Sequence, residues 1–577
     1  MLLPAFTELK RNLKKDFSSF PVIKLGIIGD CATQHIAVAL RGWGYEKGIN
    51  FDIFDSDYNQ IDAQTMDPAS ELYSHGCAYV AVINCTDKLF MRFCETPLDS
   101  RKNFAQTVCE SITAAWSRIS ANSKSRIIQF NFPVWDDRIF GDFGAKTVDS
   151  FAYQTRKLNF LLAEKSGEYK NVFICDIEGI QSRVGESALR DNKMFCIAKM
   201  PFRTDILPVI AKSITDIVLS AEGKIKKCVV LDLDNTLWGG VVGDDGTDGI
   251  QIGELGTGHA FTHFQLWLKE LKNRGIILCV CSKNNEENAK DPFINHPEMV
   301  LRLEDISVFV ANWQDKASNI RYIRDVLNIG MDSMVFLDDN PFEREVVRSL
   351  IPDITVPELP ENPEEYVDFL RAEGLFGTAS YSKEDHMRTD QYRAEAERVS
   401  LQSKCADYDD YLKSLEMVAE AKAFDAYHFP RIAQLTQRSN QFNLRTVRYT
   451  EQEIEDIAKD DKYITVYFTL KDKFGDHGLI SAVIMEKRED CLFVNTYLMS
   501  CRVLKRGMEE FIINTMVETA RDAGYKKVVG EYIKTPKNAM VADIYEKLGF
   551  TPNGDNTFTA DTDSFKFNKT HIQKGDI

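Results

Sequence analysis

Long apolar runs are absent from this sequence of 577 residues. A membrane-spanning helix needs roughly 18 or more predominantly apolar residues in a row, and no segment approaches that length. The N-terminal segment, MLLPAFTELKRNLKKDFSSF, lacks the apolar core that follows the basic start of a secretory signal peptide. We therefore expect a cytoplasmic protein that has no membrane partner.

An excess of basic charge is also missing. Lys and Arg number 70 against 87 Asp and Glu, which gives a formal net charge of -17 at pH 7. Proteins that bind a nucleic-acid backbone usually present a basic face, so we expect no nucleic-acid partner. The 13 cysteines are odd in number and scattered through apolar segments such as ILCVCS. This pattern indicates free thiols in a reducing compartment rather than a disulfide framework.

Internal repeats and low-complexity tracts are absent as well, and the apolar pattern divides the chain into three domains. Residues 1–222 and 223–375 alternate strand-like and amphipathic segments, which predicts an α/β domain with a parallel sheet for each. Residues 376–577 begin with a predicted helical bridge, SKEDHMRTDQYRAEAERVSLQSK. Antiparallel strands and helices follow, which predicts an α+β domain.

Acidic, hydroxyl and basic side chains follow the predicted strands of the second domain. They are Asp232, Asp234, Ser282, Lys316, Asp338 and Asp339. The carboxyl ends of parallel strands meet at one edge of a sheet, where α/β proteins bind ligands. A single Asp at such a position is equally well explained as a helix cap or turn former. The whole set favours a Mg²⁺ and phosphate site, because carboxylates this dense repel one another unless a hard cation lies among them.

In chain order, the motifs DLDNTL, CSKN, NWQDKASN and LDDN resemble the four motifs of the haloacid dehalogenase superfamily. The resemblance implies that Asp232 is a nucleophile that forms an aspartyl-phosphate and that Asp234 is the general acid and base. It also implies that Ser282 and Lys316 hold the phosphoryl oxygens. The implied Mg²⁺ ligands are Asp232, Asp234 (through its carbonyl), Asp338 and Asp339. The implied substrate-binding residues are Thr236 and Asn284.

The intervals between these motifs are too short for a cap domain. The stretch WGGVVGDDGTDGIQIG predicts only a Gly-rich hairpin flap next to the site. A site without a cap either accepts a large substrate, such as a group carried on a protein, or is covered by another domain of the chain.

The C-terminal segment LMSCRVLKRG leads from a predicted strand through a basic turn to a helix, and it resembles the acyl-CoA-binding turn of the GNAT acetyltransferase fold. The resemblance implies that Arg502, Arg506 and Gly507 bind the pyrophosphate of CoA or the phosphopantetheine arm of a carrier protein. Lys505 stands where this turn expects Gly. A scaffold that has lost CoA binding therefore remains an alternative.

Further candidates lie on either side of these motifs. NAMVADIYEKLGF resembles the last helix of the acetyltransferase fold, with Asn538 and Tyr545 at its functional positions. Cys501 is a candidate acyl thiol, because Arg502 and a helix N-terminus would lower its pKa, and a buried structural Cys is the alternative. IIGDCATQH faintly resembles the start of an SGNH hydrolase, with Cys31 in place of the nucleophilic serine, and a structural turn is the alternative.

Over about residues 20–555, the chain closely resembles the FkbH-like family, subfamily IIIC of the haloacid dehalogenase superfamily. KCVVLDLDNTLWGGVVGDDG, QLTQRSNQFNLRT and FGDHGL carry much of the resemblance. It implies removal of phosphate from a phosphoglyceryl-type substrate, such as 1,3-bisphosphoglycerate, and loading of the acyl group onto an acyl carrier protein. Arg502, Lys505 and Arg506 are the expected basic surface for that acidic partner.

Two other functions remain open at this point. The first is a stand-alone Mg²⁺-dependent phosphatase of sugar or other small phosphomonoesters, with structural flanking domains. The second is a non-catalytic scaffold for a biosynthetic assembly, which the intact pair of Asp232 and Asp234 disfavours.

Overall fold

The computed structural model describes residues 3–381, residues 407–575 and three isolated positions, Tyr392, Ala394 and Arg398. The chain divides into two compact units, residues 2–220 and 221–577. The division into three domains with boundaries at 222 and 375 stays a prediction. The predicted helical bridge lies outside the described residues, apart from the three isolated positions.

The unit of residues 2–220 contains a parallel sheet, as the alternating pattern predicted. Its strands are β1 (Val22–Gly29), β2 (Asn50–Asp55), β3 (Tyr79–Ile83), β4 (Arg126–Phe130) and β5 (Val172–Cys175), in the order β2-β1-β3-β4-β5. Its α-helices are Phe6–Asn12, Gln34–Glu46, Ile61–Met66, Glu71–Ser74, Thr86–Glu95, Phe104–Asn122, Phe151–Glu168, Ile177–Val184, Glu186–Leu189, Asn192–Ala198 and Leu207–Ala221. Every residue of β3 is buried, because helices cover both faces of the sheet.

The second unit begins with a four-stranded parallel sheet. Its strands are β6 (Cys228–Leu231), β7 (Ile277–Ser282), β8 (Ile306–Ala311) and β9 (Met334–Leu337), in the order β8-β7-β6-β9. Its α-helices are Val242–Asp245, Gly256–Asn273, Glu286–Asn295, Lys316–Leu327, Pro341–Leu350 and Tyr366–Glu373. Val229 and Leu231 pack into one hydrophobic cluster, whereas Cys228 and Val230 pack into another. The alternation shows that both faces of β6 are buried.

The second unit also contains an eight-stranded sheet. Its strands are β10 (Val418–Lys422), β11 (Tyr463–Asp472), β12 (Gly475–Lys487), β13 (Leu492–Met499), β14 (Lys527–Glu531), β15 (Thr551–Pro552), β16 (Thr557–Asp561) and β17 (Gln573–Lys574), in the order β15-β16-β14-β13-β12-β11-β10-β17. Its α-helices are Tyr408–Ser414, Phe429–Arg438, Glu451–Lys459, Met508–Asp522 and Ile544–Lys547. The predicted antiparallel pairing of β11, β12 and β13 is confirmed. The pairs β13–β14 and β10–β17 are parallel.

The last helix beside the eight-stranded sheet is shorter than the sequence predicted. Ala539–Val541 form a 3-10 turn, because Val541 and Ala542 donate to the carbonyls three residues before them. Only Ile544–Lys547 are α-helical.

Two hydrogen bonds join residues that flank the four-stranded sheet to residues that flank the eight-stranded sheet. Lys227, which precedes β6, donates from Nζ to the carbonyl of Arg438 at 2.9 Å. Asn328, which caps the helix Lys316–Leu327, donates from Nδ2 to the carbonyl of Cys501 at 2.6 Å. The part of the unit that contains the eight-stranded sheet therefore lies at the amino edge of the four strands.

Two general properties of the described residues bear on the sequence-based expectations. Every cysteine among them is a free thiol, as the scattered cysteine pattern predicted. Within the same residues, no helix combines the length and the apolar character that crossing a membrane requires.

Candidate active site

The carboxyl edge of the four-stranded sheet brings the predicted residues together. Asp232 directly follows β6, Ser282 is the last residue of β7, and Asp338 directly follows β9. Since β7, β6 and β9 are neighbours in the sheet, the three side chains lie at the same edge. Lys316 reaches this edge as the first residue of its helix, which Asp315 caps by accepting a hydrogen bond from the Ser318 amide at 2.8 Å.

Lys316 is buried between two carboxylates. Its Nζ lies 3.0 Å from Oδ2 of Asp232 and 2.5 Å from Oδ2 of Asp338. Burial alone would lower the pKa of Lys316, but the two carboxylates together raise it above its ordinary value. The side chain is therefore a fixed positive charge at the centre of the site.

Three carboxylates of the site have the composition of a hard metal site. One oxygen each from Asp232, Asp338 and Asp339 lies within 4.8 Å of the other two. Burial, and then the charge of Asp232, raise the pKa of Asp338 and of Asp339. Oδ1 of Asp232 is buried and finds no hydrogen-bond partner in the described part of the chain. An unpartnered carboxylate oxygen in an all-oxygen donor set fits a divalent cation such as Mg²⁺.

Asp234 is held by three N–H donors. Its Oδ1 accepts hydrogen bonds from Nε1 of Trp238 and from the amide of Val242, each at 3.0 Å, and its Oδ2 accepts one from Nδ2 of Asn284 at 3.0 Å. Burial raises the pKa of Asp234, although the hydrogen bonds from Val242 and Trp238 oppose that shift. A carboxyl with a raised pKa and a fixed orientation suits proton transfer.

The two predicted substrate-binding residues of this domain bond to the site itself. Asn284 holds Asp234, as described above. Oγ1 of Thr236 donates to Oδ1 of Asp339 at 3.2 Å and accepts from the amide of Asp339 at 3.0 Å. In the structure both residues therefore position the acidic groups.

The Gly-rich flap is a short hairpin. Gly239 and Gln251 exchange backbone hydrogen bonds of 3.0 and 2.8 Å, which closes a loop that contains the helix Val242–Asp245. The described residues between Asp232 and Ser282 form this flap and the helix Gly256–Asn273, and none of them forms a cap domain.

The basic turn after β13 is less exposed than the sequence predicted. Arg502 and Arg506 are only 6% and 4% exposed. Nε of Arg502 donates to Oγ of Ser500 at 3.2 Å, and Nη1 of Arg506 lies 3.8 Å from Oδ2 of Asp472. The prediction that both arginines form a basic docking surface is therefore wrong, because their hydrogen-bond and ion-pair partners are buried. Of the three predicted basic residues, only Lys505 is exposed.

The backbone of this turn explains why its pattern expects glycine. Lys505 has φ +61° and Gly507 has φ +83°, both in the left-handed region. Lys505 therefore occupies a conformation that a residue with a Cβ adopts at a cost.

The other two candidates of this domain are buried. Nδ2 of Asn538 donates to the carbonyls of Asn443 and Ile533, each at 2.9 Å, and its Oδ1 accepts from the amide of Thr535 at 2.7 Å. These bonds make Asn538 a structural clamp. The Tyr545 hydroxyl is also buried, lacks a hydrogen-bond partner within residues 407–575, and has a raised pKa because of burial.

Neither candidate acyl thiol is exposed. Cys501 is half-buried and packs against the hydrophobic cluster that contains Val326 and Leu327. Cys31 is 1% exposed, and a hydrogen bond with the Cys85 thiol together with burial raises its pKa well above the ordinary value. The Cys31 thiol would therefore need exposure and a base before it could react.

Comparison with known proteins identifies the family. Residues 24–219 match the family model described as FkbH, N-terminal domain. The crystal structure of the N-terminal part of the protein BF1531 from Bacteroides fragilis, containing a phosphatase domain complexed with Mg, is 46% identical with a TM-score of 0.63, and the match covers 66% of this chain and 100% of that one. The chain belongs to the FkbH-like family. It carries the phosphatase domain of that family, as the motifs predicted.

Two further solved structures, both acetyltransferases, each match about a quarter of this FkbH-like chain. The ribosomal-protein-S18-alanine N-acetyltransferase from Escherichia coli is 14% identical with a TM-score of 0.19, and the match covers 25% of this chain and 91% of that one. Spermidine N-acetyltransferase from Vibrio cholerae, in complex with CoA and spermine, is 12% identical with a TM-score of 0.21, and the match covers 26% and 96%. Among curated proteins, none matches the chain.

Sequence reasoning missed two donors of the FkbH-like site, Trp238 and the Val242 amide. The available signal was the tryptophan of DLDNTLW, a large aromatic residue that directly precedes a Gly-rich flap. Its indole N–H requires a hydrogen-bond partner when the ring is buried, and Asp234 is the acidic residue four positions earlier.

Proposed function

We propose that this FkbH-like protein is a Mg²⁺-dependent phosphatase and acyltransferase. It removes phosphate from a phosphoglyceryl-type substrate and loads the acyl group onto an acyl carrier protein. The observation that carries the phosphatase part is the arrangement of Asp232, whose Oδ2 faces Lys316 while its Oδ1 has no partner in the described chain. The Mg bound to the phosphatase domain of the BF1531 relative supports the choice of cation.

In the first step, an oxygen of Asp232 attacks the phosphorus and the bond from phosphorus to the leaving oxygen breaks. Asp234 gives its proton to the leaving oxygen, which departs as an alcohol. Lys316 and Ser282 stabilise the negative oxygens of the transferring group. The product on the protein is an aspartyl-phosphate at Asp232.

In the second step, water attacks the phosphorus of the aspartyl-phosphate. Asp234, now ionised, accepts a proton from that water, phosphate leaves and the Asp232 carboxylate is regenerated. A bound Mg²⁺ would supply charge neutralisation on the phosphoryl oxygens, with Asp232, Asp338, Asp339 and the Asp234 carbonyl as the residues that would hold it. Lys316 keeps the nucleophile partly neutral before the substrate arrives.

Loading of the carrier needs a thiol and an activated acyl group. In 1,3-bisphosphoglycerate the acyl phosphate supplies that group: the thiol sulfur attacks the acyl carbon, the bond from carbon to the phosphate oxygen breaks, and phosphate leaves with the thiol proton. The remaining phosphate ester is the substrate for Asp232. Cys31, Cys501 and the phosphopantetheine thiol of the carrier are the candidate thiols, and free thiols of this kind fit the cytoplasm.

Mass spectrometry of the carrier protein tests the proposal. The full chain is mixed with Mg²⁺, 1,3-bisphosphoglycerate and a holo acyl carrier protein, and the intact carrier is weighed. We expect a glyceryl thioester with the wild type and a phosphoglyceryl thioester with Asp232→Asn. Absence of any acyl adduct on every carrier tried would remove the transferase part and leave the phosphatase part.

The alternative is a stand-alone phosphatase of sugar or other small phosphomonoesters. The position of the eight-stranded sheet favours it, since that domain contacts the amino edge of β6, away from Asp232. Kinetics on a panel of free phosphomonoesters discriminates the two functions. A kcat/KM of about 10⁴ M⁻¹s⁻¹ or more on one of them would favour the alternative.

A further inference from the structure

The parallel strands β13 and β14 stay together over a short distance only. Leu492–Val494 pair with Val528–Gly530, but β13 continues to Met499 without β14 beside it. On its other side, β13 is paired with β12 up to Met499. The edge of β13 that β14 leaves uncovered leads directly into the turn after Met499. An extended, amide-bearing group such as a pantetheine arm would need such an edge for backbone hydrogen bonds.

The chain fills this edge itself with the segment Phe442–Leu444. The Leu444 amide donates to the carbonyl of Tyr497 at 3.1 Å, and the Met499 amide donates to the carbonyl of Phe442 at 3.0 Å. On the opposite side, the amide of Ile533, two residues beyond β14, donates to the carbonyl of Leu444 at 2.8 Å. Residues 442–444 therefore lie between the two diverging strands and bond to both sides.

A side-chain clamp holds the segment in place. Asn443 and Asn538 are both fully buried, and Nδ2 of Asn538 donates to the Asn443 carbonyl at 2.9 Å. Oδ1 of Asn443 accepts from the amide of Thr446 at 2.8 Å. The residue that the resemblance to the acetyltransferase fold marks as functional thus fixes the segment that fills the cleft.

The turn that would receive a pyrophosphate already holds a carboxylate. Oε1 of Glu509 accepts a hydrogen bond from the Lys505 amide at 2.7 Å, and the side chain is 7% exposed at the start of the helix Met508–Asp522. Backbone amides next to a helix start attract anions, and here a side chain of the helix itself occupies the Lys505 amide. A pyrophosphate would have to displace this buried side chain before it could bond to the Lys505 amide.

We infer that the acetyltransferase-like domain is self-occluded and binds neither CoA nor a pantetheine arm in this cleft. The filling segment continues from residues that attach the domain to the phosphatase sheet. Lys227 bonds to the Arg438 carbonyl, and a Cβ on Gly223 would lie 1.5 Å from the Gln437 carbonyl oxygen. The domain thus has a filled cleft and is attached to the phosphatase part of the chain. This inference goes beyond the proposed function, whose thiol chemistry then takes place outside this cleft.

Hydrogen exchange on the full chain tests the inference at the three amides that hold the segment, those of Leu444, Met499 and Ile533. We expect all three to exchange slowly and at the same rate with and without about 1 mM CoA or acetyl-CoA. Exchange as fast as in an open loop, or a change in these amides on adding either compound, would overturn the inference.

Two variants sharpen the test. Asn538→Ala removes the clamp and should speed exchange at Leu444 and Ile533 about fivefold or more, from the loss of one buried hydrogen bond. Asn514→Ala is the matched control, because it removes a hydrogen bond to the Asn568 carbonyl elsewhere in the same domain. If both variants speed amide exchange at Leu444 and Ile533 equally, Asn538 does not specifically hold residues 442–444 in place. Phosphate release measured in the same samples reports separately on the proposed function.

Discussion

The ammonium group of Lys316 lies 3.0 Å from one oxygen of Asp232, while the other oxygen of Asp232 is buried without a hydrogen-bond partner in the described residues. One side of the carboxylate is therefore neutralised by the protein, and the other remains available to a substrate or a cation. Such an asymmetric environment suits a nucleophile, which must be ionised and yet unshielded on the side of attack.

Asp232→Asn should abolish phosphate release, because an amide cannot form the aspartyl-phosphate. We expect kcat to fall by about 10⁴-fold or more, as for other residues that act as a unit in covalent catalysis. Phosphate release from a small phosphomonoester measures the effect. Asp353→Asn, at an exposed position of the same domain, is the control and should behave as the wild type. Near-normal turnover by Asp232→Asn would refute the nucleophile.

Mg²⁺ should stabilise the folded chain through the carboxylates of Asp338 and Asp339. A ligand at 100 times its Kd adds about 2.7 kcal/mol to the free energy of unfolding. The thermal midpoint should therefore rise by a few degrees with Mg²⁺, compared with sodium at the same ionic strength. Asp338→Asn should lose most of that shift. An equal shift in the variant would place the stabilising cation elsewhere.

Trp238→Phe should slow the reaction while leaving substrate binding nearly unchanged. The change keeps the buried ring but removes the N–H that bonds to Asp234 at 3.0 Å. We expect kcat to fall about tenfold, the effect of losing one hydrogen bond to a charged group, with KM within about twofold of the wild type. Trp267→Phe, which alters a ring stacked on Phe264, is the control. A large rise in KM without loss of kcat would argue against a positioning role.

Acidification should destabilise the eight-stranded domain through His477. Burial lowers the pKa of His477 to about 4, whereas an unfolded histidine titrates near 6.5. Between these values the unfolded chain binds a proton that the folded chain excludes. The free energy of unfolding should thus fall by up to about 3 kcal/mol from pH 7 to 4.

Urea unfolding followed by circular dichroism at both pH values measures this loss. His477→Gln should show a smaller loss than the wild type, because it lacks the titrating group. His263→Gln, at an exposed position, should lose as much as the wild type. Identical pH dependence of the wild type and His477→Gln would contradict the assignment.

The acidic cluster was predictable from the sequence, because Asp232 and Asp338 directly follow strands whose residues are all apolar. Such strands are buried on both faces, and their ends locate the site. Strand β2 has no comparable signal in the sequence, since NFDIFD carries three polar residues in six and is largely half-buried.

Long-range contacts explain what the sequence could not predict around the basic turn. Arg506 looks like a surface anion ligand in its local sequence, but Asp472, more than thirty positions earlier, draws it into the interior. Likewise, the sequence around Phe442 contains no pattern that predicts its pairing with Met499. Local sequence patterns predict strands and helix caps, whereas these two contacts depend on the tertiary packing of segments that are distant in the sequence.

The helix Lys316–Leu327 has a consequence for access to the reaction centre. Its 12 residues span about 18 Å, with Lys316 in the phosphatase site and the capping residue Asn328 bonded to Cys501. The helix therefore separates the eight-stranded sheet from the reacting groups by its own length. Within the described residues of the second unit, the eight-stranded sheet lies on the side of the four strands away from Asp232. The flap side of the site therefore leaves room for a partner as large as a folded protein to bring its bound group to the reacting residues.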